Sequence, residues 1–122
     1  MSGQESRLLG AWGEELAAKW IGAQGGKVIA ANFRCRFGEI DLISEEGGYL
    51  CFNEVKLRKS SKYGGAGEFV DFRKQNKLRT TARFYLAAHP TRLQPRFDVI
   101  EIYAPEGART KSPQITRIEN AF

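Results

Sequence analysis

The sequence predicts an α/β fold with the element order α-β-β-β-α-β and one added C-terminal edge strand, and three observations carry that reading. Two runs rich in β-branched and aromatic residues meet across the acidic, glycine-rich turn 45–48. A stretch with apolar residues at helical spacing, 7–22, precedes the first strands, and a second helix, from about 71 to 88, follows them. A further strand, Arg96–Tyr103, follows the second helix. At 122 residues the chain suits one domain spanning 1–122, long enough for a core and too short for a second one.

The elements follow in order. Leu9, Trp12, Leu16 and Trp20 recur at helical spacing, and Gly22, Gly25 and Gly26 end that helix. Residues 27–36 form a first strand, then Glu39–Ser44 and Tyr49–Leu57 make a β-hairpin. The polar, glycine-rich stretch 58–70 contains Tyr63-Gly-Gly-Ala-Gly67, which lacks the Gly-Lys-Ser/Thr ending of a phosphate loop and reads as flexible. The second helix stops at His89-Pro90, because proline removes a backbone donor and clashes with the preceding turn. After Arg96–Tyr103 comes a loop with two prolines and a short last strand, 114–118.

The hairpin carries the chemistry. Whether its loop is Glu46-Gly47 or Glu45 to Gly48, the register is the same: Asp41 faces Phe52 and Glu39 faces Glu54. Asp41, Phe52, Glu54 and Lys56 then share a face, with the Cα atoms of Asp41 and Glu54 roughly 7 to 8 Å apart. A hard divalent ion, with metal–oxygen distances of about 2.1 Å, fits between two such side chains. A surface ion pair at a strand end is the alternative. Against it, Leu50 and Phe52 continue the charged row while Cys51, Val55 and Leu57 make the other face apolar, the pattern of an internal strand. Glu14 shares a helix face with Gly10, Ala17, Ala18 and Ile21, where a carboxylate is costly unless it meets a cation such as a metal or Lys56. Its alternative is the rim of the packed stripe, in water.

Charge is uneven. Of the formal +5, residues 56–83 hold nine basic side chains against Glu68 and Asp71, a local excess of +7, and the remainder sums to −2. That is the footprint of a phosphate-backbone binder, or equally a solvated basic helix face. Cys35 and Cys51, sixteen apart with no Cys-x-x-Cys pair and one histidine in the chain, suggest neither a zinc site nor a disulfide. Without a second histidine or a nucleophile elbow, catalytic triads are out of reach. His89 reads as a helix-end residue, Asp98 as a strand residue paired with an arginine, and only one of Phe84 and Tyr85 can face inward. No apolar run reaches a membrane span and no hydrophobic leader opens the chain, so a cytoplasmic location is expected.

Gly10-x-x-Gly13-Glu14, Asn32-Phe-Arg34, Gly38-Glu-Ile-Asp-Leu-Ile43, Glu54-Val-Lys56-x-Arg58 and Arg96-Phe-Asp-Val-Ile100, in that order across nearly the whole chain, resemble the YraN-like family of uncharacterised bacterial proteins. That family is similar to archaeal Holliday-junction resolvases and restriction endonucleases of the PD-(D/E)xK superfamily. The resemblance implies a restriction-endonuclease-like core, a mixed central sheet flanked by helices. It places the superfamily's first-helix acid on Glu14, its aspartate on Asp41, its second acid on Glu54 and its lysine on Lys56. Ile40 departs from the proline that often precedes the aspartate. The implied activity is that of a metal-dependent nuclease hydrolysing phosphodiester bonds in DNA, branched DNA included, or in RNA, with DNA favoured; a non-catalytic nucleic-acid-binding module is the alternative. Asp41, Glu54, the carbonyl of Val55 and Glu14 would hold Mg²⁺ or Mn²⁺. Arg34, Arg36, Arg58, Lys59, Lys74 and Lys77 would grip flanking phosphates. Resolvases of similar fold act as dimers, which raises a homodimer as an expectation.

Overall fold

The computed structural model describes residues 3–59 and 70–122; the loop reading for Tyr63–Gly67 lies outside them. The described elements are α1 (Gly3–Ala23), β1 (Lys27–Cys35), β2 (Gly38–Glu46), β3 (Tyr49–Arg58), α2 (Phe72–Ala88), β4 (Gln94–Tyr103), a one-turn helix (Gly107–Arg109) and β5 (Gln114–Ile118). The expected order and the added edge strand are both present. Five strands form one mixed sheet in the order β1-β2-β3-β4-β5, antiparallel throughout except for β3 with β4. Parallel neighbours cannot be joined by a tight turn, so the chain crosses over through α2 between them.

The two helices cover opposite faces. Even-numbered β4 residues Ile100 and Ile102 pack with Leu42 against Ala17 and Ile21 of α1. Val99 packs with Ile43, Leu50 and Phe52 against Leu78, Ala82 and Tyr85 of α2. Leu50, Cys51 and Phe52 are at most 3% exposed, so β3 is the internal strand its two-sided apolar pattern predicts. Each large aliphatic buried here contributes about 1.5 to 3 kcal/mol. The deepest face of α1 is Gly13, Ala17 and Ile21, at i, i+4 and i+8, with Trp12, Leu16 and Trp20 flanking it half-buried. A Cβ on Gly13 would stand 3.0 Å from Leu57 of β3, so the glycine lets the helix approach closely just where Glu14 follows.

The hairpin register differs from expectation by two residues. Phe52 pairs with Ile43, not Asp41, and the turn is Gly47-Gly48, with φ of 53° and 86°. A tight turn of this hand needs φ > 0 at both central residues, which two glycines accept and Glu46-Gly47 would not. Continued along the strands, the observed register sets Asp41 directly across from Glu54. Beside it lies a second irregularity. Ile40 packs on the α2 side and Leu42 on the α1 side, although residues two apart on a regular strand share a face. On the facing strand β1, Asn32, between the pairs Ala31–Leu42 and Phe33–Ile40, has φ of 53°, so the backbone is irregular on both strands at this rung.

Toward the turn end of the hairpin, a polar network ties four strands together. Asp98, fully buried, accepts from Arg96 at 2.9 and 2.8 Å and from the backbone N–H of Asn120 at 2.9 Å. Arg117 of β5 donates two hydrogen bonds to Glu46, at 2.6 and 2.7 Å, and a third to Asn53 at 3.2 Å. Arg117 thereby holds the Glu46 carboxyl below its usual value despite burial acting the other way. Asp98 is thus paired with an arginine, as expected of a charge in mid-strand. His89 stacks on Tyr85 at 4.3 Å and meets its carbonyl at 3.1 Å, the helix-end role read from the sequence. Both cysteines are free thiols, and burial pushes the Cys51 thiol up to about 12. Among the described residues no helix is long and apolar enough to cross a membrane.

Candidate active site

The pairs between β2 and β3 run from Glu46–Tyr49 to Leu42–Asn53. One step further, the backbone N–H of Val55 donates to the Asp41 carboxylate at 2.8 Å. The side chain of Asp41 therefore stands where a backbone acceptor of the ladder would, and it lies between the strands rather than upright on one face. Glu54 is 8% exposed, and its carboxylate is close enough to raise the Asp41 carboxyl. Burial first, and the negative charge of Glu54 second, push the Asp41 carboxyl from its ordinary 3.8 to about 7, against the opposing Val55 hydrogen bond. Burial and a second carboxylate beside it thus disfavour the ionised form of Asp41.

Two ammonium groups meet this pair. Lys56 Nζ lies 3.8 Å from Glu54 Oε1, and Lys74 Nζ of α2 lies 2.8 Å from the same oxygen. Burial and the neighbouring Lys74 lower Lys56 below its ordinary 10.5. Burial also works against a charged Lys74, but its hydrogen bond to Glu54 outweighs that and raises it. Lys74 reaches this position because Asp71 caps α2, accepting from the Lys74 N–H at 2.8 Å, and so fixes the first helical turn over β3. A cleft of about 220 Å³, lined by Gly38, Glu39, Asp41, Glu54, Lys74 and Lys77, opens here.

Glu14 is half-buried at the end of the packed face of α1. Burial raises its carboxyl; the Asn32 amide and Arg34 favour the ionised form, and Glu39 and Glu54 oppose it. Arg34 is thus a cationic neighbour of Glu14, and the acid itself sits close enough to Asp41 to raise it as well. Among the described residues no group of three or more acidic, histidine or cysteine side chains stands at metal-binding spacing.

The expected phosphate contacts divide. Lys77 lines the cleft, Lys74 enters it, and Lys59 is exposed on the residue after β3. Arg34 is exposed and pairs with Glu39 at 3.2 Å, and Arg36 lies 4.8 Å over the Phe37 ring. Arg58 is drawn inward, 11% exposed, onto Glu101 of β4. In the sequence Lys74 is one cation among many; what sets it apart is spatial, since the crossover lays the start of α2 over Glu54.

The profile described as "Uncharacterised protein family UPF0102" matches residues 13–102, a span that holds Glu14, Asp41, Glu54, Lys56 and Lys74. A UPF0102 protein of Symbiobacterium thermophilum is 43% identical over 118 residues, covering 96% of this chain and 98% of its own. One from Caldanaerobacter subterraneus subsp. tengcongensis is 40% identical over 118 residues, 95% of each chain. One from Rhodococcus jostii is 41% identical over 117 residues, 93% of this chain and 95% of its own.

Proposed function

From a chain that belongs to the uncharacterised protein family UPF0102, a name that carries no activity, we propose a metal-dependent nuclease that hydrolyses phosphodiester bonds in nucleic acid, DNA before RNA. The observation that carries the reading is the Asp41–Glu54 pair: two carboxylates brought together at the point where β2 and β3 part, with the ammonium groups of Lys56 and Lys74 beside them. A carboxyl such as Asp41, raised by burial and by the charge of a neighbouring carboxylate, is a suitable donor for a divalent cation, which relieves the repulsion and replaces the bound proton.

Asp41 and Glu54 would hold Mg²⁺ or Mn²⁺, with the Val55 carbonyl as a further oxygen donor and Glu14 in support. Such an ion supplies a water of lowered pKa and neutralises charge on the phosphate. The hydrolysis itself is a displacement at phosphorus: the water oxygen bonds to phosphorus, the bond to the ester oxygen breaks, and that oxygen leaves with a proton. Lys56 places a positive charge beside the reacting phosphate oxygens, where electrostatic stabilisation of the transition state acts most strongly in a half-dry cleft. Lys74 now neutralises the Glu54 oxygen; with that oxygen engaged elsewhere its ammonium is released toward a phosphate. Lys77 and Lys59 hold flanking phosphates, with Arg34 and Arg36 on the β1 side. Phosphate contacts position the chain and carry no sequence preference.

One observation favours a second reading, a nucleic-acid-binding module without turnover: Lys74 already satisfies Glu54 at 2.8 Å, as a structural ion pair would. The two are separated by a cleavage assay over single-stranded, duplex, flapped and four-way-junction DNA and structured RNA, with Mg²⁺, Mn²⁺ or EDTA, beside Glu54→Gln. Metal-dependent cutting that the substitution abolishes supports the nuclease. Binding without cutting across the whole set gives the second reading its place.

A further inference from the structure

On the far side of Lys77 from the acidic pair lies a second, larger depression of about 460 Å³, lined by Phe37, Phe72, Arg73, Asn76, Lys77 and Thr80. It runs between the turn that follows β1 and the outer face of α2. Its volume is within the range of small-molecule and cofactor clefts. Large aromatic rings are unusually open here. Phe72 is 72% exposed and Phe37 38%, and Phe84, 46% exposed, continues the strip from Phe37 at a ring separation of 6.0 Å. Phe72 and Phe84 are twelve residues apart on α2, which is about 18 Å along the helix. None of the described residues that line the groove is acidic, whereas Arg73 and Lys77 line it and the Arg36 guanidinium lies over the Phe37 ring at 4.8 Å. Lys77 also lines the cleft of Asp41 and Glu54, so the two depressions meet at one side chain.

An apolar patch alone would suit a protein partner. Aromatic faces alternating with cations, with no carboxylate among the described residues that line them, match instead a ligand of flat π surfaces joined by negative charges. Duplex nucleic acid keeps its bases stacked inside and offers only phosphates to such a surface. Unpaired nucleotides present both.

We propose that the Phe37–Phe72 groove binds a single-stranded segment of nucleic acid beside the candidate active site, its bases stacking on Phe37 and Phe72 and its phosphates meeting Arg36, Arg73 and Lys77. Resting on the nuclease reading, this assigns the substrate class: nucleic acid with an unpaired arm next to the scissile position. Base stacking on an aromatic side chain typically contributes about 1 to 3 kcal/mol per base. The loss on truncation is therefore roughly five- to hundredfold in affinity.

The test is anisotropy of labelled single-stranded, flapped and blunt duplex DNA and single-stranded RNA in EDTA, with 2-aminopurine placed in the unpaired arm. Wild type should bind the single-stranded and flapped forms and quench the 2-aminopurine. Phe72→Ala should lose both quenching and roughly five- to hundredfold affinity for those forms while leaving blunt duplex unchanged, and Phe72→Tyr should restore them. Phe72 is exposed, so truncation spares the core; Arg73→Gln, which weakens every form alike, separates charge from stacking. Equal losses of Phe72→Ala on duplex and single strand would overturn the proposal. So would unchanged quenching, or a change in oligomeric state with nucleic-acid affinity intact, which would mark the patch as a protein interface. Because none of these readouts needs turnover, repeating them with Glu54→Gln keeps the two failures apart. Stacking without cleavage in wild type removes the nuclease reading alone; cleavage without stacking removes this inference alone.

Discussion

Replacing Asp41 by asparagine isolates the energetic cost of the acidic pair. Asparagine keeps an oxygen to accept from the Val55 N–H, now at 2.8 Å from Asp41, and removes the charge. In the metal-free protein the Asp41 carboxyl titrates near 7 instead of its ordinary 3.8, so between those values the folded chain keeps a proton that the unfolded chain has lost. Stability falls with pH wherever the folded state binds more protons, so the contribution of Asp41 is fully present below 3.8 and is lost as pH rises to about 7. At 1.36 kcal/mol per pKa unit the full gap is worth about 4 kcal/mol. Access of water to the cleft and coupling to Glu54 reduce that to about 2 to 4 kcal/mol. Urea unfolding in EDTA at intervals from pH 4 to pH 8.5 measures it. All other titrating groups are common to both proteins, so the difference belongs to the pair: near equality at pH 4, and Asp41→Asn more stable by about 2 to 4 kcal/mol at pH 8. A difference that does not change with pH, or a variant less stable than wild type at pH 8, would refute the reasoning.

Other expectations follow from the same geometry. Lys74→Ala frees the Glu54 oxygen of its 2.8 Å partner; Mn²⁺ affinity should rise severalfold by calorimetry, on the order of the 0.5 to 1 kcal/mol typical of a partly exposed pair, while affinity for single-stranded DNA falls. Arg117→Met leaves Glu46 and the fully buried Asp98 short of a cation and should cost about 3 to 5 kcal/mol in urea unfolding; a loss under 1 kcal/mol would mean that Arg96 alone satisfies Asp98. Gly48→Val meets a φ of 86° and should destabilise by about 1 to 2 kcal/mol or more in the same assay, with Glu45→Ala in the adjoining strand as a near-neutral control.

How much of this could be read from the chain depends on the range of the interaction. The strands were legible because their β-branched runs are local, and the edge strand 114–118 is found at its expected bounds. The gathering of Asp41, Glu54 and Lys56 was legible too, since an error of two residues in register keeps the alternation of faces; that Asp41 turns in between the strands to accept from the Val55 N–H was not. What failed was the turn. Glu46-Gly47 and Gly47-Gly48 differ by one residue in the chain, and only the demand for two positive φ values chooses between them. The entry of Lys74 and the clasp of Arg117 on Glu46, 71 residues away, arise from the crossover and from the pairing of β5. No local pattern encodes either. Phe37 and Phe72 left a trace in the Arg36-Phe37 and Phe72-Arg73-Lys74 runs, aromatics set among cations, which exposure turns into a groove.

If Asp41 and Glu54 form a divalent-cation site, Mn²⁺ titrated calorimetrically into the metal-free protein at pH 7.5 binds one ion per chain, with binding lost in Asp41→Asn and weakened at least tenfold in Glu54→Gln. Binding of the same strength in Asp41→Asn, or no binding in wild type, would contradict such a site.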